Sequence, residues 1–410
     1  MELAPKKVTV VGGGLMGTGI AALMANNDIA VDVYDISREV AAKSVAAMTD
    51  KKAKIPILYS MRRAKLVTAR GLDEMEAHLG EADMIVEAVP EVLSIKTKTY
   101  DAIDAHRKAG SIVCTNTSGL SIDSMAEGRS EDFRKHFLGT HYFNPVRFMP
   151  LVEIIAGSAT DQAVVDALFA WIRKVGKTPL LAFDKPNFIA NRIGTYGICS
   201  VFSHMKQLQM TPEEVDTALS GAVGRPRLGG FGLGDLVGLD TLVHVLGNVY
   251  NDCPEDEKRE AFQPPDWLLA MVEEGALGNK SRKGFYQRTK DAAGKRVTLA
   301  RDLATGEYSP KVRPKFASVK EAKKFKSRPD VALRTVLRGE DKASQLVWGC
   351  TSDMLVYSAN RIPEIADDIV NLDRAMRWGF NWDMGPFETW DSIGVADSVA
   401  KMKQEGTPVP

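Results

Sequence analysis

Over the first 185 residues, short continuous apolar runs alternate with longer segments of helical period. Val8-Thr9-Val10-Val11 is the first run, and Ile20, Leu23 and Met24 follow it at helical spacing. A second run ends at Asp35, and Ser37 then stands where a helix N-cap belongs. Met84-Ile85-Val86-Glu87 and Ile112-Val113-Cys114-Thr115 each stop at polar residues, as buried parallel strands do at their carboxyl ends. Phe137 to Tyr142 and Leu151 to Ile155 add two more strand-like runs. Strands alternating with helices predict a parallel-sheet α/β domain over residues 1–185.

Around Asp184-Lys185-Pro186-Asn187-Phe188 the pattern changes to long helical periods. Residues 186–290 therefore read as an all-α domain, with Asn191 in the first turns of its first helix. Residues 288–338 hold 15 Lys or Arg against 5 Asp or Glu, with prolines at 310, 314 and 329. That composition predicts a basic connector with some helix over residues 291–340. Beyond it the helical pattern repeats, over 341–404. Asp373-Arg374-Ala375 echoes Asp216-Thr217-Ala218, and Gly385 to Gly394 echoes the segment ending at Asp235 and Gly238. At an offset of 156 to 157 residues, the place of Asn191 is taken by Trp348. The second copy is thus expected to pack and not to react.

Composition narrows the class. Hydrophobic residues make up 44%, charged residues 26%, and the formal net charge is zero. Nothing at whole-chain level calls for nucleic acid or an anionic membrane surface. No apolar run approaches the roughly 20 residues of a membrane span, and Met1 to Lys7 is too short and polar for a signal peptide. Cys114, Cys199, Cys253 and Cys350 are scattered without metal-ligand spacing and fit reduced thiols of a cytoplasmic protein.

The chemistry begins at Gly12-x-Gly14-x-x-Gly17, directly after the first strand and opening the first helix. Gly12 permits the tight turn, Gly14 lets a pyrophosphate approach the backbone, and Gly17 lets helix and strand pack closely. Leu15 and Met16 complete this cradle, and the helix N-terminus offers free N–H groups to phosphate. Asp35, eighteen residues beyond Gly17, is placed to accept ribose hydroxyls and to repel a 2′-phosphate. A Rossmann-type fold binding NAD, not NADP, is expected.

Other polar residues cluster at strand ends, where ligands of this fold bind: Glu91, then Asn116 and Ser118, with Lys96 in the helix between. Asn and Ser in such places also cap turns. His141 ends one strand, and Glu153 sits inside Leu151-Val152-Glu153-Ile154-Ile155. A lone buried carboxylate is costly, so Glu153 is expected to pair with His141 and orient a general base for alcohol oxidation. The basic cluster of Lys51, Lys52 and Lys54, with Arg62, Arg63 and Lys65 on a second helix, reads two ways. It is a solvated helical hairpin or a clamp for a polyanionic tail such as that of coenzyme A.

Taken together, G-G-G-L-M-G-T-G-I-A, V-E-A-V-P-E, N-T-S-G-L, G-T-H-Y-F-N-P-V, L-V-E-I-I, P-N-F-I-A-N-R and V-G-L-D resemble the 3-hydroxyacyl-CoA dehydrogenase family of fatty-acid β-oxidation. The doubled helical part resembles bacterial members that carry an enoyl-CoA hydratase after the dehydrogenase. The resemblance implies NAD-dependent oxidation of a 3-hydroxyacyl-CoA, with His141 as base and Glu153 as its partner. It implies substrate contacts from Ser118 and Asn191, and from Lys51 and Lys54 towards coenzyme A. On the cofactor side it implies Glu91, Lys96, Asn116, Ser118, Asn144 and Lys280, beside the glycine turn and Asp35. Leu228-Gly229-Gly230-Phe231 departs from the family's Gly-Pro-Phe, which Gly385-Pro386-Phe387 keeps. A sister activity on a free hydroxy acid or sugar acid, and an NAD-binding scaffold without catalysis, are the alternative readings.

Overall fold

The computed structural model describes residues 2–50, 56–226 and 228–410. Lys51, Lys52 and Lys54 lie outside the described residues. The chain forms two compact units, Met1–Phe188 and Ile189–Pro410.

The first unit is built on an eight-stranded sheet in the order β3-β2-β1-β4-β5-β6-β7-β8. Its strands are β1 (Lys7–Val11), β2 (Ala30–Asp35), β3 (Val67–Gly71), β4 (Met84–Glu87), β5 (Ile112–Thr115), β6 (Phe137–Tyr142), β7 (Leu151–Ala156) and β8 (Thr178–Ala182). Neighbours run parallel except β6 and β7. Helices α1 (Leu15–Asn26), α2 (Arg38–Ala47), α3 (Leu93–His106) and α4 (Gln162–Lys174) belong to this unit. Val8, Val10, Val11, Ile85 and Val86 are fully buried, which is why these strands read as unbroken apolar runs. From β1 the sheet grows through β2 on one side and β4 on the other. A crevice therefore opens at the carboxyl ends of β1 and β4, the place where ligands bind in such sheets. The basic segment holding Arg62, Arg63 and Lys65 is a 3-10 turn, Met61–Leu66, not a second long helix. It runs straight into edge strand β3 because Val67 and Thr68 favour extended backbone.

The second unit begins with α5 (Ala190–Leu208), α6 (Pro212–Ala218), α7 (Gly229–Val237) and α8 (Leu239–Asp252). The basic stretch then opens on a three-stranded antiparallel sheet: β9 (Tyr286–Lys290), β10 (Arg296–Arg301) and β11 (Tyr308–Pro310). Its charge hid a strand alternation, for half-buried Val297 and Leu299 alternate with exposed Arg296 and Thr298. Helix α9 (Pro329–Leu337) follows, and then α10 (Lys342–Asn360), α11 (Ile369–Gly379), α12 (Pro386–Ile393) and α13 (Val395–Gln404) repeat the order of α5 to α8.

The repeat has a physical signature. Asp216 accepts hydrogen bonds from the amides of Phe231 and Gly232 (2.8 and 3.1 Å), tying α6 to the start of α7. Asp373 does the same for Phe387 and Glu388 (2.7 and 3.1 Å). The departure at Leu228-Gly229-Gly230-Phe231 changes only the entry: Gly229 has φ 70° where Gly385 has φ −75°. One correspondence is corrected. Helices α5 and α10 are each 19 residues long, but three residues (209–211) follow α5 and eight (361–368) follow α10. The offset therefore drops by five upstream of that loop, and the second position of α10, matching Asn191, is Ala343, not Trp348. Trp348 instead donates from its indole to Glu405 (2.7 Å) at the end of its own copy.

Burial raises both capping carboxyls, Asp216 and Asp373, to about 6 against the hydrogen bonds they accept. A carboxyl raised on folding makes the folded state lose stability as pH climbs from about 4 through 6. Asp373→Asn stays neutral throughout. Its melting temperature relative to wild type should therefore improve between pH 5 and pH 7.5, and a constant difference would contradict this.

Candidate active site

The glycine turn is built as its sequence requires. Gly12 has φ 106°, and a Cβ there would lie 2.5 Å from the Ala88 carbonyl oxygen. At Gly17 a Cβ would lie 1.8 Å from the Gly12 oxygen, so α1 can seat on the turn only without a side chain. At Gly14 a Cβ would meet nothing within 4 Å. This open backbone at the mouth of α1, with no acidic residue in the helix's first turn, fits a pyrophosphate. Leu15 is exposed beside it. Asp35, ending β2, accepts from the amides of Gly13 (2.9 Å) and Ile36 (2.7 Å), which holds its carboxylate against the turn.

His141 and Glu153 are direct cross-strand partners of the antiparallel β6–β7 pair. The imidazole Nδ1 lies 2.7 Å from Glu153 Oε2, with both side chains buried. With Nδ1–H given to the carboxylate, Nε2 is the nitrogen able to take a proton. The rings of Phe143 and Phe188 flank the imidazole, at centroid distances of 4.5 and 5.7 Å. Asn187 and Phe188 both have positive φ, 63° and 49°, and such backbone clusters at functional sites. Sequence reasoning missed both phenylalanines, since an aromatic in an apolar run gives no sign of what it packs on.

A second cluster sits at the carboxyl ends of β4 and β5. Glu91 accepts from the Thr117 hydroxyl (2.5 Å) and the Ser118 amide (2.8 Å), fixing the loop that carries Ser118. Although burial opposes it, the Lys96 charge and these hydrogen bonds hold the Glu91 carboxyl below its ordinary range. Lys96 is 1% exposed, its ammonium divided between Glu91 (3.1 Å) and Glu87 (2.9 Å). Glu87 also accepts from Tyr100 and Thr115. Expected as a cofactor contact, Lys96 is placed as a support beneath Glu91. Glu87 and Thr115, at strand ends, and Tyr100, on α3, went unrecognised because a buried polar residue declares its partners only in three dimensions. Asn116 accepts from the Tyr142 amide (3.0 Å), binding the end of β5 to the strand of His141. Asn144 is exposed just past that strand.

Asn191 and Lys280 belong to the second unit. Asn191 is the second residue of α5. Its neighbour Arg192 is fully buried and donates to Tyr357 (2.7 Å) and Asp256 (2.5 Å), so the first turn of α5 is firmly anchored. Lys280 pairs with Asp240 of the V-G-L-D segment at 2.5 Å. Among the described residues the four cysteines are free, and burial raises their thiols. Among the described residues, no helix is long and apolar enough to cross a membrane.

A dinucleotide cradle, a buried His–Glu pair and a duplicated helical unit define a nicotinamide-dependent dehydrogenase class. The NAD binding domain model of 3-hydroxyacyl-CoA dehydrogenase matches residues 7–185, and the model of its C-terminal domain matches residues 188–288. This chain belongs to the 3-hydroxyacyl-CoA dehydrogenase family, whose members are NAD-dependent oxidoreductases. It is 40% identical to a probable 3-hydroxyacyl-CoA dehydrogenase of Bacillus subtilis, over 99% of this chain and 53% of that protein. A probable 3-hydroxyacyl-CoA dehydrogenase of Deinococcus radiodurans is 36% identical over 70% of this chain and 84% of its own length. The chain spans about half of the Bacillus protein, and likewise 53% of a putative fatty acid oxidation complex trifunctional enzyme of Rickettsia felis. The solved 3-hydroxybutyryl-CoA dehydrogenase of Escherichia coli K12 shares the fold, with TM-score 0.75 and 23% identity over 98% of this chain and 96% of that one.

Proposed function

We propose that this chain oxidises (S)-3-hydroxyacyl-CoA to 3-oxoacyl-CoA. The 2.7 Å contact between His141 and Glu153 carries the reading, because it couples a base to a buried counter-charge. Gly12, Gly14 and Gly17, with Leu15 and Met16, would hold the pyrophosphate of NAD, and Asp35 its adenosine ribose. Bound NAD supplies the hydride acceptor. His141 Nε2 takes the proton of the 3-hydroxyl, and Glu153 balances the imidazolium that results. Ser118, its amide held by Glu91, and Asn191, at the anchored start of α5, hold the substrate's 3-oxygen and thioester. Glu91, Asn116, Asn144 and Lys280 line the cofactor side, with Lys96 acting through Glu91. Lys51 and Lys54 remain candidates for the coenzyme A phosphates.

The reading is tested by incubating the purified chain with NAD and 3-hydroxybutyryl-CoA and following NADH. No turnover on any 3-hydroxyacyl-CoA, with oxidation of a sugar acid, would overturn it. Cofactor choice gives a separate check. NAD should be strongly preferred over NADP. Asp35→Ala removes an acceptor of two hydrogen bonds worth about 1.5–3 kcal/mol each, so KM for NAD should rise at least about tenfold and the gap should narrow. Comparable wild-type turnover with both cofactors would contradict the role of Asp35. The setting we infer is fatty-acid β-oxidation, where hydration of an enoyl-CoA supplies the substrate. An enoyl-CoA hydratase, fused to this chain or associated with it, is the partner that this chemistry calls for.

A further inference from the structure

The proposed reaction makes no use of the basic stretch, although residues 288–338 hold 15 Lys or Arg against 5 Asp or Glu in a chain of zero formal net charge. Its cations stand clearest on the sheet of β9, β10 and β11. Arg288, Lys290, Lys295 and Arg296 are all exposed around the turn that joins β9 to β10. Lys290 lies directly opposite Arg296 in the register, and Arg288 opposite Thr298, so three of these cations share one face. The amide of Lys311 donates to the Thr298 carbonyl (2.9 Å), which carries the row on to exposed Lys311, Arg313 and Lys315.

The hairpin cations are not answered by acids of the chain. Among the described residues none of Arg288, Lys290, Lys295 and Arg296 forms a salt bridge, whereas Arg301, Lys324 and Arg328 do. Asp291, in the same turn, is occupied by the amides of Ala293 (3.0 Å) and Lys295 (2.9 Å). Asp235 feels Arg288 only at a distance, its carboxylate being taken by the amides of Phe285 and Tyr286 (both 2.8 Å). Like charges directly opposite on neighbouring strands are unfavourable, so Lys290 against Arg296 costs stability unless an anion lies over both. Just past β11, Val312 stands between Lys311 and Arg313. It is 63% exposed, the most of any large hydrophobic residue described in the second unit.

An anionic lipid bilayer satisfies both features, with headgroup charge for the cations and an apolar layer for Val312. A nucleic acid would meet the charge but give Val312 nothing. Tyr286, the aromatic of this face, is covered by Lys311 at 3.4 Å and donates to Asp216, so it is not free to stack on a base. An acidic protein is disfavoured by the lysines, which protein interfaces avoid. We infer that the β9–β10 hairpin and the segment after β11 seat this chain on an anionic bilayer surface. Each cation near the headgroups should raise partitioning roughly fivefold. The attraction acts over about 8 Å at physiological salt, so a basic face can bind although the whole chain is neutral.

The test is sedimentation of the purified chain with vesicles of about 30% phosphatidylglycerol in phosphatidylcholine, and with pure phosphatidylcholine, at about 0.1 M salt. Wild type should bind the anionic vesicles alone and come off at about 0.5 M salt. Replacing the four hairpin cations together (Arg288→Gln, Lys290→Gln, Lys295→Gln, Arg296→Gln) should lower partitioning about 10²–10³-fold, with the melting temperature kept. If that variant fails to fold, Arg313→Gln with Lys315→Gln, outside the strands, decides, and should lower partitioning about tenfold or more. None of these residues belongs to the proposed site, so NADH formation without vesicles should be unchanged in both variants. Wild type that ignores anionic vesicles, binds both kinds equally, or binds a duplex oligonucleotide in their stead would overturn the bilayer site. So would undiminished vesicle binding by a folded variant.

Discussion

His141→Gln should lower turnover by about 10²–10⁴-fold, the usual contribution of a positioned general base. Glutamine keeps much of the shape but supplies no nitrogen that can accept the hydroxyl proton at neutral pH. NAD affinity should barely change, because the cofactor is assigned to the glycine turn and Asp35, not to the imidazole. Glu153→Gln should also cut turnover, for a different reason. The amide can still accept from Nδ1–H across the 2.7 Å contact, but it does not balance the imidazolium formed as the proton arrives. The loss should therefore fall on the chemical step and appear as a larger isotope effect with substrate deuterated at C3. Near-normal turnover in His141→Gln, or a Glu153→Gln enzyme slow only in product release, would remove the pair from catalysis.

Asp256→Asn should destabilise the second unit by about 3–5 kcal/mol, the loss expected when a buried ion pair is broken from one side. Asp256 Oδ2 accepts from Arg192 (2.5 Å), Tyr357 (2.7 Å) and Arg361 (3.0 Å), and the side chains of Asp256 and Arg192 are fully buried. Losing the carboxylate leaves two guanidinium groups drawing mainly on Glu364 and Glu257. For a unit of this size the melting temperature should drop by about 10 °C. Arg192 follows Asn191 in the same helical turn, so KM for the acyl-CoA should rise at temperatures where the variant is still folded. NAD binding to the first unit should persist. An unchanged melting profile would show the network to be dispensable.

The first unit was legible because its signals are local. A glycine turn between a strand and a helix is three residues with separate steric tasks, and an acid eighteen residues on needs no tertiary knowledge to notice. Glu153 was found by a cost argument, since a carboxylate flanked by Leu, Val and Ile demands a partner. The basic stretch misled because charge was read before period: Arg296-Val297-Thr298-Leu299 alternates as a strand does, with its outward positions polar. Trp348 was matched to Asn191 because an offset measured at one end of a repeat was carried through a loop whose length had changed.

The sequence alone determined the α/β-then-helical order of the two units, the dinucleotide cradle, the need of Glu153 for a partner and the presence of a duplication. Each rests on residue type at fixed short spacing, where sterics and burial cost act along the chain. The tertiary structure alone decided what those residues touch. It set His141 opposite Glu153 in register and put Phe143 and Phe188 beside the ring. It buried Lys96 under Glu87 and Glu91, and gathered Arg192, Asp256, Tyr357 and Arg361 from distant helices. The contacts of that last network join residues 64 to 165 positions apart, and the energy that selects all of these contacts belongs to the packed core rather than to any segment of chain.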